Sequence, residues 1–213
     1  GRFNMDILLN TEVVAIDRMA KRVTAKNLLT RETSEHPYDH LVLSVGCDAI
    51  VPQSIPGIGR QGHFTLKTME DTAAIEQHIA TVHPSKVVVC GGGFIGLEIA
   101  EQLVNRKFQV RVVEAAGQVM APMDFEMAEY LHELLRGKGV DLRLNDGVSS
   151  FEESASGALA SDVLLKSGAR LPADMVVLAL GVRPSTGFAA AAGIECTSRG
   201  HVRVDDCMRT LSD

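Results

Sequence analysis

The sequence lacks several features, and each absence narrows what it can be. Its four cysteines (Cys47, Cys90, Cys196, Cys207) contain no Cys-x-x-Cys pair, and their spacing fits no zinc or redox-disulfide pattern. We expect reduced thiols, no metal, and a cytoplasmic protein. No apolar run approaches the ~18–20 residues of a membrane span, and the amino terminus has no signal-peptide pattern, so no membrane partner is expected. The net charge is −6 with both signs interspersed. No basic stripe can hold a phosphate backbone, which excludes nucleic acid as an expected partner. Internal repeats and low-complexity segments are also missing. An initiating methionine is absent as well: Gly1-Arg2-Phe3 leads straight into a strand-like pattern. We expect a piece of a longer protein, although a cloning remnant would look the same.

What is present is an ordinary globular balance, 46% hydrophobic and 23% charged over 213 residues, enough for a domain or a domain and a half. Residues 6–9, 12–17, 22–27 and the apolar run 41–45 read as short strands of an antiparallel meander wet on one side. Gly46, Pro52, Pro56, Gly57, Gly59 and Gly62 break the chain into a loop. Helical spacing follows over 68–80 and stops before Pro84.

From there strand and helix alternate: strand 86–90, helix 94–105, strand 109–114, helix 124–136, strand 140–144. Asp124 is the expected N-cap of the last helix, with Ala128, Leu131, Leu134 and Leu135 facing inward. This order implies a parallel sheet with right-handed crossovers. Pieces at 148–152, 162–166 and 170–171 suit a small antiparallel flap, and the apolar run 175–180 returns to the sheet. Residues 185–213 read as an Ala-rich helical stretch, a turn at Arg199-Gly200 and a strand at 201–204.

The strand 86–90 runs into Gly91-Gly92-Gly93-Phe94-Ile95-Gly96, a G-x-G-x-x-G match. Gly91 permits a tight turn, Gly93 lets backbone approach a pyrophosphate, and Gly96 lets the helix pack close to the strand. The helix then aims free N–H groups and its positive dipole end at that pyrophosphate. The next strand ends in Glu114, roughly 20 residues on, where a carboxylate can take both hydroxyls of an adenosine ribose. Strand, glycine turn, helix and acid together predict a dinucleotide-binding Rossmann unit. A carboxylate at 114 repels a 2′-phosphate, and Ala115, Ala116 and Gly117 supply no arginine to bind one, so NADH is favoured over NADPH. Arg111 lies three residues earlier with its facing undetermined. On the residues alone, Glu98 reads as an acid stabilised by the helix dipole by ~0.3–1 kcal/mol.

The string Gly91 to Glu98 resembles the NAD motif of the flavin-dependent pyridine nucleotide-disulfide oxidoreductases. The likeness is strongest to the branch with coenzyme A-disulfide reductase, NADH oxidase, NADH peroxidase and coenzyme A-persulfide reductase. Three more motifs match in order. Tyr38-Asp39-His40-Leu41-Val42-Leu43-Ser44-Val45-Gly46 resembles the segment near the flavin. Leu178-Ala179-Leu180-Gly181-Val182-Arg183-Pro184 resembles the turn beside the nicotinamide. Val202-Arg203-Val204-Asp205 with Met208-Arg209-Thr210 resembles the approach to the second flavin motif.

The resemblance implies an α/β fold: a Rossmann-like parallel sheet flanked by antiparallel β-meander segments of a truncated FAD domain. Residues 1–80 would be the partial FAD segment, 81–190 the NAD-binding domain, and 191–213 the start of the return. Phe94 would gate the nicotinamide pocket, Glu98 would be the carboxylate near it, and Gly181 would offer backbone to it. The expected cofactor-binding set is Gly91, Gly93, Phe94, Ile95, Gly96, Glu98, Glu114 and Gly181, with no catalytic residue in this piece. NADH would be its cofactor, with FAD in the full-length protein, which would be a homodimer acting on a small-molecule substrate.

In the family, the flavin's own glycine motif and the redox cysteine come ahead of this region. Cys47 has no partner thiol or positioned base in view and reads as structural. His36 and His40 are separated by Pro37, which breaks the helix that would align them as ligands. The leading expectation is the NADH-binding portion of a flavoenzyme, inactive by itself. A stand-alone dinucleotide-binding module, or a reductase serving a small iron–sulfur protein, would show the same motifs. The stretch Gln118 to Ala128 resembles the coenzyme A-disulfide and persulfide reductases more than the oxidases.

Overall fold

The computed structural model describes residues 5–154 and 161–211, so Gly1-Arg2-Phe3 and Ser212-Asp213 lie outside it. The chain divides into two units, Gly1–Asp48 with Arg183–Asp213, and Ala49–Val182. In the first, β1 (Thr11–Asp17), β2 (Arg22–Asn27) and β3 (Thr33–Pro37) form an antiparallel meander in that order. Asn10 and Lys21 take positive φ at the turns, and Asp17 caps one of them by accepting the Ala20 N–H at 2.8 Å.

Two expected strands are absent here. Residues 6–9 and 41–45 have no ladder partner among the described residues, and Val42 is 84% exposed. An apolar run becomes a strand only where an edge takes its N–H and C=O groups. The third strand of the meander is instead Thr-Ser-Glu-His-Pro, which β2 pairs through Val23↔His36. The chain passes into the second unit along β4 (Cys47–Ala49).

The second unit is built as the strand–helix alternation requires. Its elements are β5 (His63–Phe64), α1 (Met69–Val82), β6 (Lys86–Cys90), α2 (Phe94–Asn105), β7 (Gln109–Val113), α3 (Phe125–Gly137) and β8 (Asp141–Arg143). The flap β9 (Val148–Glu153), β10 (Ser161–Leu165) and β11 (Arg170–Ala173) follows, and then β12 (Met175–Leu178). The five-stranded sheet is parallel throughout, ordered β5-β12-β6-β7-β8.

Alternation along β6 divides the core between two faces. Val87 and Val89 pack with Ile75 of α1 and Ala100 and Leu103 of α2. Val88 and Cys90 pack with Phe151, Val163 and Leu171 of the flap. With both faces covered, the central strand reads as an unbroken apolar run. α1 starts on a full capping box between Thr68 and Asp71.

The inward face of α3 differs from expectation. Leu134 is 57% exposed, and His132 is fully buried in its stead. At 100° per residue, positions 128, 131, 132 and 135 share one face while 134 points away. Asp124 stands at the N-cap as expected, though its side chain makes no capping bond.

At the other end of the sheet, Asp174 accepts the Ser85 N–H and hydroxyl and the Lys86 N–H at 2.9, 3.0 and 2.9 Å. Burial pushes its carboxyl up, but these bonds and the Lys86 charge hold it below the ordinary value. His63 bonds Ser161 Oγ at 2.9 Å and lies against Phe151, with Nδ1 buried and unpaired. Burial first, and the Arg60 charge second, lower His63 from 6.5 to about 4. The unfolded chain takes up this proton near pH 6.5, the folded chain only near 4. Its stabilisation is therefore complete above pH 6.5 and lost as pH falls towards 4. Water reaches part of the ring, so the loss is about 1–2 kcal/mol. His63→Gln should flatten melting temperature against pH between 7 and 4.5; an unchanged slope would refute the assignment.

The chain leaves along β13 (Val182–Pro184) and ends, among the described residues, in the five-residue α4 (Gly187–Ala191) and isolated bridges at Val202 and Val204. Those bridges stand where a strand was expected at 201–204. In this unit Ala189 and Ile194 pack with Ile16 of β1.

Candidate dinucleotide site

Because the sheet is parallel, the loops that follow β6, β7 and β12 all emerge at its C-terminal edge. They are the glycine turn, Glu114 with its loop, and residues 179–181. Strand order reverses at β6, and ligands of open parallel sheets sit at such a point.

Each glycine of the turn has a different reason to be there. Gly91 has φ +111°, and a Cβ on it would overlap the Ala179 carbonyl oxygen. A Cβ on Gly96 would overlap the Gly91 carbonyl oxygen, and one on Gly92 would come within 2.9 Å of Val119 Cγ1. These three are required by the protein's own packing. Gly93 is not: its φ is an ordinary −81°, and a Cβ there would meet nothing within 4 Å. Gly93 is also the N-cap of α2, and no side chain caps that helix. The turn therefore holds an open space beside unspent backbone donors, which suits a phosphate.

Glu114 follows β7 directly: the expected strand ends on it, and the observed one stops a residue earlier at Val113. Its N–H donates to the Arg143 carbonyl at 2.8 Å. Its carboxylate accepts the Gly92 N–H at 2.7 Å on Oε2 and the Ala116 N–H at 2.8 Å on Oε1. A carboxylate offers about four acceptor sites, so about two remain for ribose hydroxyls. Arg111 is held away from this acid: it donates to the Pro172 carbonyl at 2.8 Å and pairs with Asp141 at 3.6 Å. Ala115, Ala116 and Gly117 are exposed and carry no charge.

Phe94 is 65% exposed at the head of α2, Ile95 is exposed beside it, and Glu98 is exposed one turn on. Glu98 lines a groove between α2 and α3 together with Leu97, Glu101 and Leu134. Gly181 has φ +97° and is exposed, and its carbonyl accepts the Ile50 N–H at 3.0 Å.

Sequence reasoning passed over Gly92, whose N–H holds Glu114 and whose carbonyl accepts the Met120 N–H at 2.8 Å. The signal was there, as the middle one of three consecutive glycines. It also passed over a second run with the same spacing, Gly57, Gly59 and Gly62. That run precedes the short strand β5 instead of opening a helix, and a Cβ on Gly57 would overlap the Phe151 carbonyl oxygen. At Gly57 the glycine serves packing, and with no helix behind it the run lacks the context of a dinucleotide turn.

Among the described residues no group of three or more His, Cys, Asp or Glu side chains could hold a metal, and no helix is long and apolar enough to cross a membrane. All four cysteines are free, and burial pushes the Cys90 thiol up to about 12, which leaves it inert. His36 bonds Ser34 Oγ at 2.9 Å.

The family model described as pyridine nucleotide-disulphide oxidoreductase matches residues 2–213. The chain belongs to that family. It is 31% identical over 207 residues to a coenzyme A disulfide reductase of Staphylococcus haemolyticus, covering 96% of this chain and 44% of that protein. Among solved structures, the reduced CoADR-RHD of Bacillus anthracis superposes with a TM-score of 0.90 at 42% identity, covering 98% of this chain and 37% of that one. An NAD-dependent persulfide reductase from A. fulgidus gives 0.88 at 33%, covering 98% and 38%. The chain thus spans less than half the length of these relatives. The mixed α/β fold with a parallel sheet and antiparallel flanking sheets is the one its sequence implied.

Proposed function

We propose that this chain is the NADH-binding portion of a flavin-dependent oxidoreductase, with residues 81–190 holding the dinucleotide. The observation that carries the reading is Gly93, a glycine that nothing in the chain's own packing requires, at the mouth of an uncapped helix. Gly91, Gly93 and Gly96 with the first turn of α2 would take the pyrophosphate, and Glu114 the adenosine ribose. Phe94, Ile95, Glu98 and Gly181 would lie towards the nicotinamide half. When bound, NADH supplies the hydride; the protein supplies position and charge.

Flavin belongs to this reading as the acceptor in the full-length protein. The likeness to coenzyme A disulfide reductase and persulfide reductase supports a disulfide or persulfide acceptor over peroxide or oxygen. The whole protein would be a cytoplasmic homodimer with a small-molecule substrate.

Calorimetric titration of the purified chain should show one NADH site, and an absorbance spectrum should show no stoichiometric flavin. No heat with NADH would overturn the assignment, and a yellow stoichiometric chromophore would overturn the division of cofactors. For the full-length enzyme, NADH consumption should be most efficient with coenzyme A disulfide or persulfide. A higher kcat/KM for peroxide or oxygen would sink the acceptor assignment alone.

A further inference from the structure

The core beneath α3 holds one imidazole that the site as described does not use. His132 is fully buried. Its Nε2 accepts the Val119 N–H at 3.1 Å, so that nitrogen bears no proton. The proton is on Nδ1, which faces Glu129 Oε1 at 3.0 Å. A buried polar ring is costly where leucine would fill the same space, unless its hydrogen bonds do something leucine cannot.

What they hold is the loop 115–123. Val119 is fully buried and packs against the Cα of Gly92, its Cγ1 only 2.9 Å from where a Cβ would stand. The next residue, Met120, has φ +50° and donates its N–H to the Gly92 carbonyl at 2.8 Å. The Gln118 amide closes the loop on the Met123 carbonyl at 2.8 Å. Gly92 in turn donates to Glu114 at 2.7 Å. One imidazole nitrogen fixes the loop, the loop fixes the Gly92 peptide, and that peptide fixes the carboxylate.

We infer that His132 is a positioning residue that sets the adenosine side of the dinucleotide site through Val119 and Gly92. The inference rests on the NADH reading above. It locates the effect in one half of the ligand, and this separates it from a role in stability alone.

Two substitutions test it. His132→Gln can place its amide oxygen where Nε2 stands and accept the Val119 N–H. His132→Leu fills the volume and accepts nothing. Dissociation constants for NADH, ADP-ribose and reduced nicotinamide mononucleotide would be measured where circular dichroism shows each chain folded. With leucine, NADH and ADP-ribose should both weaken about tenfold, and with glutamine by about twofold at most, the scale of one lost buried hydrogen bond. The mononucleotide should be unaffected. In the unsubstituted chain a 1H–15N spectrum should show His132 protonated on Nδ1 and bare on Nε2.

ADP-ribose binding unchanged by leucine would overturn the inference, as would glutamine binding as weakly as leucine, or the opposite tautomer. If the leucine chain does not fold, His132→Asn replaces it, since its amide ends one bond short of Val119. Absence of NADH and ADP-ribose binding in the unsubstituted chain would overturn the NADH reading as well, whereas failure of the variant pattern alone overturns only the role of His132.

Discussion

Alanine at position 93 is expected to leave the fold intact and strip the chain of NADH affinity, while alanine at position 91 should damage the fold itself. Both changes add one methyl group within a single turn. At Gly93 the backbone sits at φ −81°, which any residue adopts, and the new methyl meets no protein atom. The only stability cost is that of a poorer N-cap, about 1 kcal/mol at most. The methyl would stand where a pyrophosphate must approach the backbone, and affinity should fall about 30-fold or more, some 2 kcal/mol. At Gly91 the residue has φ +111° and the methyl overlaps the Ala179 carbonyl oxygen, which belongs to the backbone leaving β12. Strain and overlap together should cost about 2–5 kcal/mol. Thermal melts and NADH titrations of the two variants give a crossed pattern. If Gly93→Ala binds NADH as the parent chain does, the open space beside α2 is not a phosphate site.

The central part of the fold was legible because its elements are long, apolar and buried on both sides. The valines of β6 and the helix at 94–105 stand where periodicity puts them. What escaped was set by pairing, not by pattern. β3 has no apolar face and exists because β2 offers it an edge. β5 is two residues long and is a strand only through Val176 and Val177 of β12. Conversely, the apolar run at 41–45 looks like a strand and has no ladder partner among the described residues. In α3 the apolar pattern favoured Leu134 over a histidine, although helical phase puts position 132 on the inward face. The glycine turn and Glu114 could be read because their roles are local to the motif. Val119 and His132 could not, since their meaning lies in hydrogen bonds between elements that the sequence separates.

Removing the carboxylate at 114 should reduce NADH affinity and narrow the preference for NADH over NADPH. Glu114 has two jobs in this geometry. It holds the Gly92 and Ala116 N–H groups at 2.7 and 2.8 Å, and about two of its acceptor sites remain for ribose hydroxyls. Glu114→Ala loses both, leaving two backbone donors to water or to nothing, and NADH affinity should drop by about 1–3 kcal/mol, or roughly 5- to 150-fold. NADPH should lose less. In the parent chain its 2′-phosphate would face this acid with no compensating arginine, because Arg111 is tied to Pro172 and Asp141 and residues 115–117 are uncharged. Deleting the acid removes that repulsion while removing the anchor, so the two effects oppose each other for NADPH, whereas for NADH only the loss of the anchor acts. Glu114→Gln separates the two jobs: its single amide oxygen can keep one backbone bond, and its neutral head no longer repels phosphate. The glutamine variant should therefore fall between the parent and alanine in NADH affinity and sit close to alanine in the NADH/NADPH ratio. Parallel calorimetric titrations of the three chains with both nucleotides measure these quantities directly. A ratio unchanged across all three would mean that the ribose lies elsewhere and that Glu114 serves only to fasten the glycine turn.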